Sequence, residues 1–239
     1  DLVDAITQSC DVYFYTQGRA LGIENMARYA SMVGLGAKTG IVLKDEASGL
    51  IPTKQWKRKR FGQPWHPGED AITAIGQGYT LVTPLQIAKV MSGIVNGGKV
   101  ITPRILASTQ MTQERNLNIR ENELAVILEG LKAVVEADRG TGRAIKDPRF
   151  TMGGKTGTVQ VVRGYTSKLP DQSDLPYKIR DHAWFFGFSP VENPEILVVA
   201  IVEHGGSGSA IAAPVVRDVI HEYYVSKGVI DEQVCQDNR

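Results

Sequence analysis

The ten residues 153–162 constrain this chain more than any others. They open as bare, glycine-rich backbone (Gly153-Gly154-Lys155-Thr156-Gly157) and run on as strand-forming Thr158-Val159-Gln160-Val161-Val162. Two apolar runs follow at 183–189 and 196–202, joined by the short connection 190–195. Runs of this length are strand-sized, so the three segments are expected to form an antiparallel meander with 153–162 as its inner strand. At the head of that strand a lysine flanked by glycines and hydroxyls can offer an ammonium, two hydroxyls and uncovered N–H groups to one anionic ligand.

Two features of the sequence compete with this reading of the lysine motif. The letters recur at Lys38-Thr39-Gly40, but there they stand between Gly34-Leu35-Gly36 and the short run 41–43, which reads as a helix exit into an isolated strand. Gly154-Lys155-Thr156 also matches the end of a phosphate-binding loop. That loop requires a glycine five residues before Gly154, and position 149 is Arg.

Around the strands the pattern is helical. Leu2, Val3 and Ile6 share a face, and after Ser9-Cys10-Asp11 the helical pattern resumes over 12–19. On local grounds the tripeptide fits a helix cap as well as a catalytic pair. A helix over 24–33 ends at Gly34, and a loop-like tract runs from 48 to 79. Inside that tract, Lys54-Gln55-Trp56-Lys57-Arg58-Lys59-Arg60 is a charge run that composition alone assigns to a solvated face. Thr83-Pro84-Leu85-Gln86 is a capping box opening a helix whose core side is expected at Leu85, Ala88, Met91, Ser92 and Val95, with Asn96-Gly97-Gly98 as its stop. A helix over 120–137, capped by Asn118 with Glu121, precedes the strands. A last one opens at Ala213-Pro214 and buries Val215, Val216, Val219, Ile220, Tyr223 and Tyr224 before Gly228. Helices, a strand meander and a closing helix make an α+β fold with an antiparallel sheet. The long polar connection 163–181 beside the glycine-rich strand start is expected to shape a cleft.

Composition sets bounds. With 239 residues and 42% hydrophobic content, the chain can bury a sizeable core. Its 27 basic and 26 acidic residues nearly cancel, which gives no footing for nucleic acid as a partner. The longest apolar run, 196–202, is far short of the ~18 residues a membrane helix needs, so any anchor or export signal is expected outside this sequence. Cys10 and Cys235 stand at opposite ends, and His66, His182, His204 and His221 are scattered, so no metal set and no cofactor is expected.

Ser9-Cys10-Asp11 resembles the S-x-N/D motif, and Lys155-Thr156-Gly157-Thr158 the K-T-G-T motif, of penicillin-binding proteins and serine β-lactamases. The tract 52–61, Pro64-Trp65, Ile75-Gly76-Gln77-Gly78-Tyr79, Thr83-Pro84-Leu85-Gln86, residues 180–186 and Glu203-His204-Gly205-Gly206 are similar to the elongation-type class B penicillin-binding proteins, and the likeness covers nearly the whole chain. The resemblance implies a peptidoglycan D,D-transpeptidase of the penicillin-binding-protein/serine β-lactamase fold: α+β, an antiparallel sheet with helices on its faces. Residues 1–239 would be the C-terminal portion of the transpeptidase domain. It implies roles as well: Ser9 in the proton relay, Asp11 accepting hydrogen bonds, Lys155 as the electropositive corner, Thr156 and Thr158 on a terminal carboxylate, the Thr158 N–H as an oxyanion donor, and Gly157 leaving room for substrate backbone. Stem peptides, β-lactams and the membrane elongation machinery are the implied partners, at the periplasmic face of the inner membrane.

One departure stands out. The family's nucleophile lies in an S-x-x-K motif upstream of S-x-N, and no serine here has lysine three residues later. The nucleophile, its lysine and the first sheet strands are therefore expected on a preceding part of the protein, with this chain alone inactive. A chain that kept the carboxylate corner without a nucleophile would instead be a binding or sensor module. A division-type transpeptidase is the nearer alternative, disfavoured by the Trp56 to Trp65 tract.

Overall fold

The structure, a computed structural model, describes residues 1–110, 112–162 and 172–231. Expectations for 163–171, and for Cys235, lie outside the described residues. The chain forms two compact units, Asp1–Leu128 and Glu129–Arg239.

The first unit is mainly helical. α1 (Leu2–Thr7) starts at Asp1, whose carboxylate accepts the Asp4 N–H at 2.8 Å, and α2 spans Asp11–Val33. α2 is broken at Gly22 (φ 71°, ψ 158°), which gives the two helical stretches read from the sequence, and Gly34 in a left-handed conformation ends it. Gly18 is required by the packing against α4 (Pro67–Ala74), because a Cβ there would lie 2.3 Å from the Ala74 Cβ. Asp70 of α4 accepts both the Ile23 N–H (2.8 Å) and the Trp65 indole N–H (3.0 Å), tying the two helices together at the kink.

The tract 48–79, expected as a loop, contains α4 and also α3 (Lys54–Phe61). Thr53 caps α3 by accepting the Trp56 N–H, Gly62 stops it, and Pro67 with Glu69 opens α4, so local caps override the proline-rich composition. The charge run is not wholly solvated. Lys57 is 2% exposed, and its Nζ lies 2.6 Å from each carboxylate oxygen of Glu69 and above the Trp65 ring. Burial by itself would raise the Glu69 pKa, but the Lys57 ammonium and the His66 N–H (2.7 Å) outweigh it and hold the carboxyl below its ordinary value. Trp56, Phe61 and Tyr79 form an aromatic cluster with centroids 5.2–5.7 Å apart, Trp56 and Phe61 meeting edge-on.

Residues 41–43 do not form the expected strand. Glu46 takes the Thr39 N–H and hydroxyl at 2.8 and 2.5 Å, closing the segment as a turn with Val42 and Leu43 exposed. α5 (Pro84–Val95) has the expected Thr83/Gln86 capping box but buries a different face, Gln86, Lys89, Val90 and Gly93. The reason is polar. Gln86 donates to the carbonyls of Ala37 (2.6 Å) and Ser48 (2.9 Å) and Lys89 to that of Thr39 (2.9 Å), so loop carbonyls select this face over the apolar stripe. A two-stranded ribbon, β1 (Lys99–Ile101) with β2 (Gln113–Asn116), was not legible in the sequence.

α6 (Glu121–Glu136) runs into the second unit. Its N-terminus is held by Glu123 accepting the Arg120 N–H at 3.3 Å, in place of the expected Asn118/Glu121 box. The meander is β3 (Gly153–Val159), β4 (His182–Ser189) and β5 (Ile196–Val202), all antiparallel, in the order β3-β4-β5. The central strand is therefore β4, and β3 is an edge of the sheet among the described residues. Burial explains the exchange: Phe185 and Phe188 of β4 are 1% and 0% exposed, and each contributes about 2–3 kcal/mol by leaving water. β3, with its glycines and hydroxyls, has little apolar surface to bury there.

α7 (Ala213–Ser226) covers the sheet through Ala213, Val216, Ile220 and Tyr224, a narrower stripe than expected. Val215 and Val219, read as core, are 46% and 45% exposed and align with exposed Ile211 at four-residue spacing. Ser189 donates to the Thr151 carbonyl (2.6 Å) and lies 2.9 Å from the Tyr224 hydroxyl, satisfying the polar atoms of this core; burial pushes the Tyr224 hydroxyl pKa up.

Candidate active site

β3 carries four of the six residues singled out by sequence. Lys155, Thr156, Gly157 and Thr158 pair with Phe186, Phe185, Trp184 and Ala183 of β4, leaving the other side of β3 without a strand partner among the described residues. The two leading glycines are needed where they stand. A Cβ on Gly154 would sit 2.4 Å from the Phe186 carbonyl oxygen, and one on Gly153 2.5 Å from the Phe188 ring. Lys155 is half-buried, and its Nζ donates to the Thr156 carbonyl (3.1 Å) with the Thr156 hydroxyl at 3.5 Å. Lys38, by contrast, is exposed in irregular chain outside any strand, so the structure separates the two copies of the tripeptide.

Each threonine hydroxyl has an anchor that sequence reasoning missed. Thr141 Oγ1 lies 3.0 Å from Thr156 Oγ1. Thr141 belongs to a Gly140-Thr141-Gly142 turn pressed onto the C-terminal end of α6. The Gly142 N–H donates to the Val134 carbonyl at 2.8 Å, and a Cβ on Gly140 would stand 2.2 Å from that same oxygen. The sequence signal was a threonine between two glycines after a helix, which by itself reads as a plain turn.

Thr158, exposed at the strand's far end, accepts the Gly208 N–H at 3.2 Å. Gly208 opens a π-helical turn, Gly208–Ala212, laid directly on the sheet: a Cβ would meet the carbonyl oxygens of Gly157 at 2.3 Å and Trp184 at 2.5 Å. The Thr158 oxygen accepts from a fixed N–H, which leaves its proton for a ligand acceptor, while in the Thr141–Thr156 pair either hydroxyl can donate. The arrangement places one ammonium and two hydroxyls on an edge strand, groups that can hydrogen-bond an anionic ligand.

Ser9 and Asp11 belong to the first unit, at the elbow between α1 and α2. Ser9 adopts a left-handed conformation (φ 54°), uncommon for a residue with a Cβ, and its N–H donates to the Ile6 carbonyl at 3.2 Å. The N-cap of α2 is Cys10, with no side-chain cap bond, and exposed Asp11 begins the helix. The capping reading of Ser9 is therefore not what the structure adopts. Among the described residues there is no cluster of metal-ligating side chains and no helix long and apolar enough to cross a membrane.

The model of the penicillin-binding protein transpeptidase domain matches residues 1–221. The chain is 37% identical over 238 residues to a peptidoglycan D,D-transpeptidase, MrdA, of Haemophilus influenzae, covering 95% of this chain and 36% of that protein. Among solved structures it is similar to the penicillin-binding protein PBP2 of Helicobacter pylori in a complex with MreC (TM-score 0.81, 34% identity, 95% of this chain and 40% of that one). It is also similar to PBP2 of Pseudomonas aeruginosa in complex with WCK 5153 (TM-score 0.79, 33% identity, 98% of this chain and 51% of that one). The chain thus spans little more than a third of the length of the curated relatives it matches.

Proposed function

The chain belongs to the penicillin-binding protein transpeptidase family, and from that premise we propose that it is part of an elongation-type peptidoglycan D,D-transpeptidase that transfers a D-alanyl acyl group through a serine ester. The observation that carries the reading is β3: an open strand edge on which Lys155, Thr156 and Thr158 line up, the two hydroxyls held from behind by Thr141 and the Gly208 N–H.

On this reading a stem peptide ending in D-alanyl-D-alanine lies along β3, its backbone against Gly157 and its carboxylate on Thr156 and Thr158. Lys155 supplies the positive field for that carboxylate. A serine in an S-x-x-K element outside these 239 residues attacks the penultimate carbonyl. Charge developing on that oxygen is stabilised by the Thr158 N–H, and the terminal D-alanine leaves with a proton delivered through the relay that includes Ser9, with Asp11 as a hydrogen-bond acceptor. An amine of a neighbouring strand then attacks the ester, forming the cross-link and freeing the serine. A β-lactam carboxylate occupies the same corner, and its opened ring stays on the serine. The enzyme works at the periplasmic face of the inner membrane, together with the elongation machinery.

The test is labelling of the full-length protein with a fluorescent penicillin, followed by peptide mass spectrometry. We expect one acyl group, on a serine followed by lysine three residues later and lying upstream of Ser9. A folded full-length protein that binds penicillin without any covalent adduct would instead make it a sensor module.

A further inference from the structure

We infer that His182 is a positioning residue for the Thr158 end of β3, acting through the turn 204–208, and that it serves only as the neutral imidazole with its proton on Nε2. The inference rests on the transpeptidase reading above and names a residue to which that reading gives no role.

A chain of directed hydrogen bonds links His182 to Thr158. His182 opens β4 opposite Val159, and its Nδ1 accepts the backbone N–H of His204 at 2.9 Å. An imidazole nitrogen that accepts an N–H carries no proton of its own, so the ring's proton is on Nε2. His204 is assigned in the opposite sense, because its Nδ1 lies 3.1 Å from the Arg180 carbonyl and a carbonyl can only accept. The two rings are 4.6 Å apart.

His204 also adopts a left-handed conformation (φ 55°) that a side chain resists, so the turn depends on its bonds to stay in place. From there the turn is strapped down step by step. The Gly205 N–H donates to the Val202 carbonyl (3.1 Å) and the Gly206 N–H to the Asp181 carbonyl (2.8 Å), and Gly208 then reaches Thr158 Oγ1 (3.2 Å). The bond at His182 is the entry of this strap, and the hydroxyl at its exit is the one assigned to the substrate carboxylate.

A proton added at His182 Nδ1 would turn the acceptor into a donor facing the His204 N–H. The bond is lost, and a cation is placed 4.6 Å from a second imidazole. The titratable and charged groups on the segments packed around the pair are Tyr177, Arg180, Asp181 and Glu203. Tyr177 stacks on His204 at 4.7 Å and turns its hydroxyl to the Glu203 carbonyl, and the Arg180 guanidinium donates to the carbonyls of Ser173 and Leu175. Buried Asp181 takes the Gln172 amide at 2.8 Å, and the Glu203 side chain is exposed.

Asparagine places an oxygen where His182 has Nδ1, and glutamine does not, so the two substitutions separate the acceptor from the titration. The rate of acylation of the full-length protein by a fluorescent penicillin is measured for wild type, H182N and H182Q between pH 8 and pH 5. At pH 8, H182N should be within about twofold of wild type and H182Q about fivefold slower, the worth of one lost hydrogen bond. On acidification the wild type should lose about fivefold more than H182N. The 15N spectrum of the unmodified protein at pH 8 should show His182 Nδ1 unprotonated and hydrogen-bonded, a readout independent of how the variants fold.

An H182N profile with the full wild-type acid limb, an H182Q rate equal to wild type, or a proton on Nδ1 at pH 8 would each overturn the inference while leaving the transpeptidase reading intact. Absence of acylation at every pH would remove that reading, and this inference with it.

Discussion

Replacing Thr141 by valine removes one hydroxyl and almost no volume, and tests whether the site depends on a residue outside the lysine motif. In the structure Thr141 Oγ1 stands 3.0 Å from Thr156 Oγ1, and Lys155 Nζ is at 3.5 Å, the outer limit of a hydrogen bond. Valine therefore leaves the Thr156 hydroxyl without its near partner, free to turn its proton away from a ligand. A neutral hydrogen bond between partly buried hydroxyls is worth about 0.5–1.5 kcal/mol, which is roughly two- to twelvefold in acylation rate if the pair is set up in the transition state. Thr156→Val removes the hydroxyl proposed to meet the carboxylate and should cost more, about 1.5–3 kcal/mol.

The assay is stopped-flow acylation of the full-length protein by a fluorescent penicillin and by the methyl ester of the same compound. Thr141→Ser should restore the rate, Thr141→Val should be slower only with the free carboxylate, and the double variant should be no slower than Thr156→Val. Equal slowing of acid and ester, or a double variant that multiplies the two single effects, would show that Thr141 does not act through Thr156.

Four further outcomes are expected. Lys155→Ala should slow acylation by about ten- to a hundredfold and Lys38→Ala should not, since only Lys155 lies on the strand edge; rates measured side by side decide it. Lys57→Met should destabilise the fold by about 2–3 kcal/mol in urea unfolding followed by tryptophan fluorescence, below the full loss for a buried pair because the Glu69 side chain is 19% exposed. Because Glu69 is depressed in the fold, its contribution is complete above its ordinary value of 4.5 and fades as pH falls towards the folded value, so the wild type should lose more stability than Lys57→Met between pH 5 and pH 3. Gly208→Ala should lower both Tm and acylation rate, because the new methyl would press on two backbone oxygens at 2.3 and 2.5 Å; a variant unchanged in both would mean the turn is not seated as described.

What the amino-acid sequence determined by itself was whatever depends on neighbours along the chain. The run Ile196–Val202 is a strand with the expected bounds, and the Thr83/Gln86 box opens α5 at the expected residue, because strand pattern and helix caps are satisfied within a few positions. That Lys155, Thr156, Gly157 and Thr158 share one strand was legible for the same reason: four consecutive residues stay within one strand length, with Thr156 and Thr158 on the same face.

Tertiary structure decided the remainder. Which strand is central followed from where Phe185 and Phe188 find a core, and which face α5 buries followed from carbonyls of a loop nearly fifty residues away. Lys57 reads as one more solvated cation until Glu69, twelve residues on in another helix, gives it a partner inside. Thr141 and Gly208 were invisible as site residues because their meaning lies in hydrogen bonds across 15 and 50 positions, and a hydroxyl or a bare N–H carries no mark in sequence of the atom it will meet.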